Sequence, residues 1–61
     1  MQEFDIIEKA GISKNNYTDA VKNALEKIEK QIYWFEVIEH RGRVTKDNEF
    51  EFQVVVKIGC A

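Results

Sequence analysis

A chain of 61 residues forms one domain at most, and folding at this length buries only about 60% of the unfolded surface, so the core alone leaves the fold marginal. With Cys60 as its single cysteine and His40 as its single histidine, the chain excludes a disulfide framework and a His/Cys metal cluster, fits a reducing compartment, and leaves oligomerisation as the remaining staple. Nine Lys and Arg against eleven Asp and Glu, without a basic run, argue against a nucleic-acid partner; the absence of a long apolar stretch and of a basic start in Met1-Gln2-Glu3-Phe4-Asp5 predicts a cytoplasmic protein with no membrane partner.

There is no proline, repeat or low-complexity tract, and residues 1–61 are predicted to be a single domain. From Phe4 to Ala10 a short alternating run reads as a first strand, ended by Gly11. Ser13 to Asn16 form a polar loop. Asn16 is placed as an N-cap, with Asp19 three residues later where the exposed amides and dipole of a helix start favour an acid. Between Thr18 and Gln31 the residues Ala20, Val21, Ala24, Leu25 and Ile28 make one apolar stripe of a helix, and the two alanines allow a sheet to approach closely.

A second strand is predicted at about Ile32 to Val44 and a third at about Glu49 to Ile58, joined through the turn-forming Thr45-Lys46-Asp47-Asn48. The even positions from Phe50 to Ile58 are uniformly apolar, so that face covers the helix. In the second strand Tyr33, Phe35 and Val37 read as the helix-facing set, which leaves Trp34, Glu36, Ile38 and His40 on the other side. With Asp47-Asn48 as the hairpin tip, opposed residues sum to an odd number, so Trp34 and Gln53 share the face turned away from the helix, and Gln53 lies opposite Gly42. About eight positions then separate the two, roughly 26 Å. Either one of them is incidental to a ligand site, or the site is assembled from several subunits.

The order strand, Gly, helix, Trp34-Phe35-Glu36-Val37, Glu39, Arg41-Gly42, turn, Phe52-Gln53-Val54, Lys57-Ile58-Gly59 resembles the dodecin family of small flavin-binding proteins, over Phe4 to Gly59. The resemblance implies an α+β protomer of βαββ order, a three-stranded antiparallel sheet wrapped around one helix, assembled as a hollow dodecamer. It further implies flavins in pairs at twofold axes, stacked between tryptophans of neighbouring subunits and hydrogen-bonded by a glutamine. Trp34 matches that tryptophan and Gln53 that glutamine. Arg41 matches the family's Arg-Gly position, with Arg43 two residues on; either can approach a flavin edge or phosphate, and Arg41 can equally serve a subunit salt bridge. The implied ligand is riboflavin, FMN, FAD or a degradation product such as lumichrome.

The residues carry plainer readings as well. An isolated tryptophan is more often core or interface than a ligand platform, and a lone glutamine is ordinary surface polarity. His40 reads as a solvated or interface strand residue, Cys60 as a free thiol. Two functions of different class follow: a flavin-binding and storage protein that damps its ligand's photoreactivity, or a structural or interaction oligomer of the same fold that holds a nucleotide coenzyme or a cation. No nucleophile–base pair or carboxylate dyad speaks for an enzyme.

Overall fold

The computed structural model describes residues 5–61, in the order β1 (Asp5–Ser13), α1 (Tyr17–Glu26), β2 (Ile32–Val44) and β3 (Phe50–Cys60). This is the expected α+β fold of βαββ order, with β3 at the centre of an antiparallel sheet ordered β1-β3-β2. Phe4, placed at the start of the first strand from sequence, lies outside the described residues.

The alternation of β3 dictates the core. Its even positions Val54, Val56, Ile58 and Cys60 are buried together with Ala20 and Ala24 of α1. Around them pack Ile7 of β1, Val21 and Leu25 of α1, Ile28 beyond it, and Ile32 and Val37 of β2. Helix α1 starts as the sequence predicts: Asn16 is the N-cap, extended in backbone, and its Oδ1 accepts from the Asp19 amide at 2.8 Å. The helix ends sooner than its apolar spacing indicates. It stops at Glu26 rather than Gln31, with Lys27 as C-cap and the Ile28 amide reaching back to the Leu25 carbonyl at 3.1 Å. No glycine or proline marks that end; the chain must leave the helix there to enter β2, where Ile32 pairs with Cys60 and the Ala61 amide donates to the Gln31 carbonyl at 2.9 Å.

Gly11 does not end β1. The strand runs through it to Ser13, and the glycine serves the helix instead. A Cβ at residue 11 would lie 2.0 Å from the Ala20 carbonyl oxygen and 2.8 Å from the Ala24 Cβ, so α1 rests directly on the β1 backbone there. The side-chain amide of Asn23 fastens the contact by donating to the Ile12 carbonyl at 2.8 Å.

The hairpin tip departs from the two-residue turn expected at Asp47-Asn48. Thr45 closes on Glu49 around a three-residue loop, Lys46-Asp47-Asn48, with the Thr45 amide donating to the Glu49 carbonyl at 2.9 Å and Asn48 at φ 61°, the left-handed position such loops require. That shifts the pairing by one, so Gln53 faces Arg41 rather than Gly42. A β-bulge between Val37 and Glu39 then inserts one residue into β2, and beyond it Val37 pairs with Val56 and Trp34 with Gly59. The inside-outside alternation of β2 therefore reverses at Ile38. Trp34 and Glu36 face away from the helix as expected, but His40 does not: it pairs with Val54 on the helix side, its ring edge-on to Tyr17 at 5.0 Å between centroids.

Helix α1 packs on β1 and β3 and leaves much of the inner side of β2 open. On that side Phe35, Val44 and the paired Phe50 are exposed by 51%, 61% and 65%, a large apolar surface for so small a chain.

Candidate functional site on the outer face of the sheet

The strand registers set out the face turned away from α1 as a series of rows across the sheet. At one end Gly59 lies between Ile6 and Trp34; next come Lys57 between Glu8 and Glu36, Val55 between Ala10 and Glu39, and Gln53 between Ile12 and Arg41; Glu51 beside Arg43 closes the series. All four residues singled out in the sequence, Trp34, Gln53, Arg41 and Arg43, thus stand on this face. Gln53, Arg41 and Arg43 are placed there by the register of the hairpin tip, and Trp34 by the bulge: an unbroken β2 paired from the observed tip would have turned Trp34 toward the helix.

The indole of Trp34 lies against Gly59. A Cβ at residue 59 would come within 2.3 Å of both Cε2 and Nε1 of the indole and 2.7 Å of Cζ2, so the ring occupies the space that only a glycine leaves open. Gly59 is buried on what is otherwise the outer face, while Trp34 itself keeps 36% of its surface exposed. A broad ring braced from below and still partly exposed has the form that stacking on a flat partner requires.

Gln53 stands elsewhere. Six positions along β3 separate it from Gly59, about 20 Å at 3.3 Å per residue. It borders a recess of about 130 Å³ lined by Ala10, Ile12, Glu39, Arg41 and Val55, an apolar floor with a polar rim. That volume is well below the ~300 Å³ at which pockets for drug-sized molecules begin. One protomer therefore offers an indole platform and a separate small polar recess, and a flat ligand touching both kinds of group must meet them on different protomers.

The charges beside the recess are paired both along β2 and across to β3. Arg41 Nη2 donates to Glu39 Oε1 two residues away, both side chains being more than half exposed. Arg43 holds Glu51 across the β2–β3 pair, Nε to Oε1 at 3.4 Å, and Glu51 in turn accepts from Gln53 Nε2 at 3.0 Å. Glu51 and Gly59 are the two residues that the sequence reading passed over. Glu51 was within reach, since it stands two residues before Gln53 on the same strand face; Gly59 was not, because its pairing with Trp34 depends on the bulge. His40, on the other face, stands apart from these residues, and among the described residues no group of His, Cys, Asp and Glu is arranged to hold a metal ion. No helix among the described residues is long and apolar enough to cross a membrane.

Comparison with solved structures brings out relatives of the same architecture. A Thermus thermophilus protein is 29% identical with a TM-score of 0.80, covering 95% of this chain and 90% of its own. A Thermus thermophilus dodecin variant in which a tryptophan is replaced by phenylalanine is 30% identical with a TM-score of 0.82, covering 95% and 91%. The dodecin of Streptomyces davaonensis, at 24% identity, TM-score 0.81 and coverage of 95% and 90%, shares the fold. Comparison with curated proteins gives no match. The dodecin family model matches residues 4–61, almost the whole chain, and together with the shared fold this shows that the chain belongs to the dodecin family.

Proposed function

We propose that the chain is a flavin-binding and storage protein, acting by sequestration without turnover, as a cytoplasmic homododecamer. The observation that carries this reading is the indole of Trp34 laid over Gly59 and still 36% exposed, in a member of the dodecin family. The fully buried core among the described residues, six small or medium apolar side chains, beside exposed Phe35, Val44 and Phe50, supports assembly. The single buried thiol, Cys60, accords with a reducing compartment.

The residues fit a riboflavin-type ligand in kind. A bound flavin supplies a light-absorbing, electron-accepting ring system. Trp34 provides the flat, electron-rich surface against it, and close stacking of an indole quenches fluorescence and limits photochemistry. Gln53, with one N–H given to Glu51, retains a carbonyl oxygen and a second N–H for the donor–acceptor edge of the ring. Arg41, opposite Gln53, and Arg43, one row further, provide cationic groups for a ring edge or a phosphate. Because Trp34 and Gln53 are about 20 Å apart in one protomer, a complete site takes them from neighbouring subunits.

The test is a riboflavin titration followed by quenching of flavin fluorescence. Wild-type protein is expected to bind and quench, and Trp34→Ala to lose tight binding while light scattering still reports the large assembly, since the core around Val54 and Ile58 is untouched. Equal affinity in the two proteins would remove Trp34 from the site.

A further inference from the structure

We propose that Glu51 fixes the hydrogen-bonding polarity of Gln53, and that Arg43 acts on the site through Glu51. The inference rests on the flavin-binding reading above. A primary amide is ambiguous by itself: its oxygen only accepts, its nitrogen only donates, and a half-turn about the last bond exchanges them with little change in shape. On this sheet the ambiguity is removed. Gln53 Nε2 lies 3.0 Å from Glu51 Oε1. An ionised carboxylate only accepts, so the reversed amide would set oxygen against oxygen, and the nitrogen belongs toward Glu51 on chemical grounds.

Glu51 is itself held. Arg43 Nε is 3.4 Å from Oε1 and Arg43 Nη2 is 3.5 Å from Oε2, so the guanidinium meets both carboxylate oxygens. The carboxylate side chain is only 16% exposed whereas that of Arg43 is 62% exposed, which makes Glu51 the sheltered centre of the triad and Arg43 its solvent-side clamp. The spacing is built into the hairpin: Arg43 faces Glu51 across the β2–β3 ladder, and Gln53 follows two residues later on the same face. A half-exposed ion pair adds little to stability. Its effect here is to order a flexible amide before any ligand arrives, leaving the oxygen and the second N–H in a defined arrangement.

Ordering one flexible side chain in advance is worth roughly 2- to 12-fold in affinity. Riboflavin is the probe, because it carries no phosphate that Arg43 could bind directly. Glu51→Ala is expected to weaken riboflavin binding about 3- to 10-fold in the native background and to change it by less than about 2-fold when Gln53→Leu is already present. Arg43→Ala should weaken binding in the same direction and be silent once Glu51→Ala is present. Assembly of each protein is checked by light scattering; if Glu51→Ala does not assemble, the isosteric Glu51→Gln carries the same comparison, since it loses both the ion pair and the acceptor-only character. An equal penalty with and without Gln53→Leu overturns the proposal and makes Glu51 a structural residue. Failure of the wild type to bind riboflavin overturns the flavin reading and this inference with it, whereas wild-type binding that Gln53→Leu does not weaken overturns this inference alone and leaves stacking on Trp34 standing.

Discussion

Gly59→Ala separates the site from the fold. The new Cβ would sit 2.3 Å from Cε2 and Nε1 of Trp34, and carbon contacts settle at about 3.5–4.0 Å, so the indole must retreat by more than ~1 Å. What stands in the way is the end of a side chain with two rotatable bonds, and the β2–β3 ladder can keep its pairing. Holding a side chain away from its preferred rotamer costs about 0.5–1.5 kcal/mol, so stability should fall by about 1 kcal/mol. The stacking surface loses its support, and stacking on an aromatic ring contributes about 1–3 kcal/mol per base in comparable ligands, which is about 5- to 150-fold in affinity. Riboflavin titration, tryptophan emission and thermal unfolding read the three consequences on one preparation: weak binding, a shifted emission and a melting temperature lowered by about 4–8 °C with the cooperative transition kept. Unchanged emission together with unchanged affinity would refute the placement of the indole on Gly59.

The matching substitution at the other close approach should have the opposite profile. Gly11→Ala drives a methyl group to 2.0 Å from the Ala20 carbonyl and 2.9 Å from the Ala24 amide nitrogen, backbone atoms that cannot swing aside, so α1 must lift and stability should fall by about 3 kcal/mol; a wild-type melting temperature would show that the helix is not seated there. Co-assembling Trp34→Ala protomers with Gln53→Leu protomers should give particles that bind flavin more tightly than either variant alone, because some neighbouring pairs combine an intact Trp34 with an intact Gln53. No gain at any ratio, with mixing verified by mass spectrometry, counts against a site shared between subunits.

The sequence made the element order legible because its local signals agree with the tertiary structure. The alternation of Val54, Val56 and Ile58 is the buried face of β3, and Asn16 caps the helix through the Asp19 amide. The end of α1 was not legible, since Glu26 to Gln31 carries neither glycine nor proline and the helix is stopped by the demand that Ile32 meet Cys60. Nor was the role of Gly11: a glycine between a strand and a polar loop looks like a terminator, and only the seated helix shows that it is there for the close approach of Ala20 and Ala24. The outer-face arrangement carries a subtler lesson. The turn loop of three residues displaces the pairing by one and the bulge at Ile38 displaces it by one more in the same direction, so Trp34 meets Gly59 rather than Ala61, and Trp34 and Gln53 reach the same face through two face reversals that cancel. His40, Arg41 and Arg43 lie between the two departures. For them nothing cancels, which is why His40 turns inward while the arginines join Gln53 outside.

That cancellation bears on how the site is built. A β-bulge bends its strand, leaves one residue unpaired and re-aims the side chains beyond it. Here it turns the indole outward at one end of a hairpin whose other end carries the paired arginines and Gln53. The molecule measures 50 Å in its longest direction against 18 and 14 Å in the others, too slender to fold one end of that face onto the other. The same slenderness leaves the inner surface of β2 uncovered, with Phe35 and Val44 open to water. Association between copies answers both conditions at once: it gives the exposed aromatic and aliphatic side chains a partner surface, and it can bring the indole platform of one chain to the amide of another. Loss of assembly should therefore abolish flavin binding even where every residue of the outer face is intact.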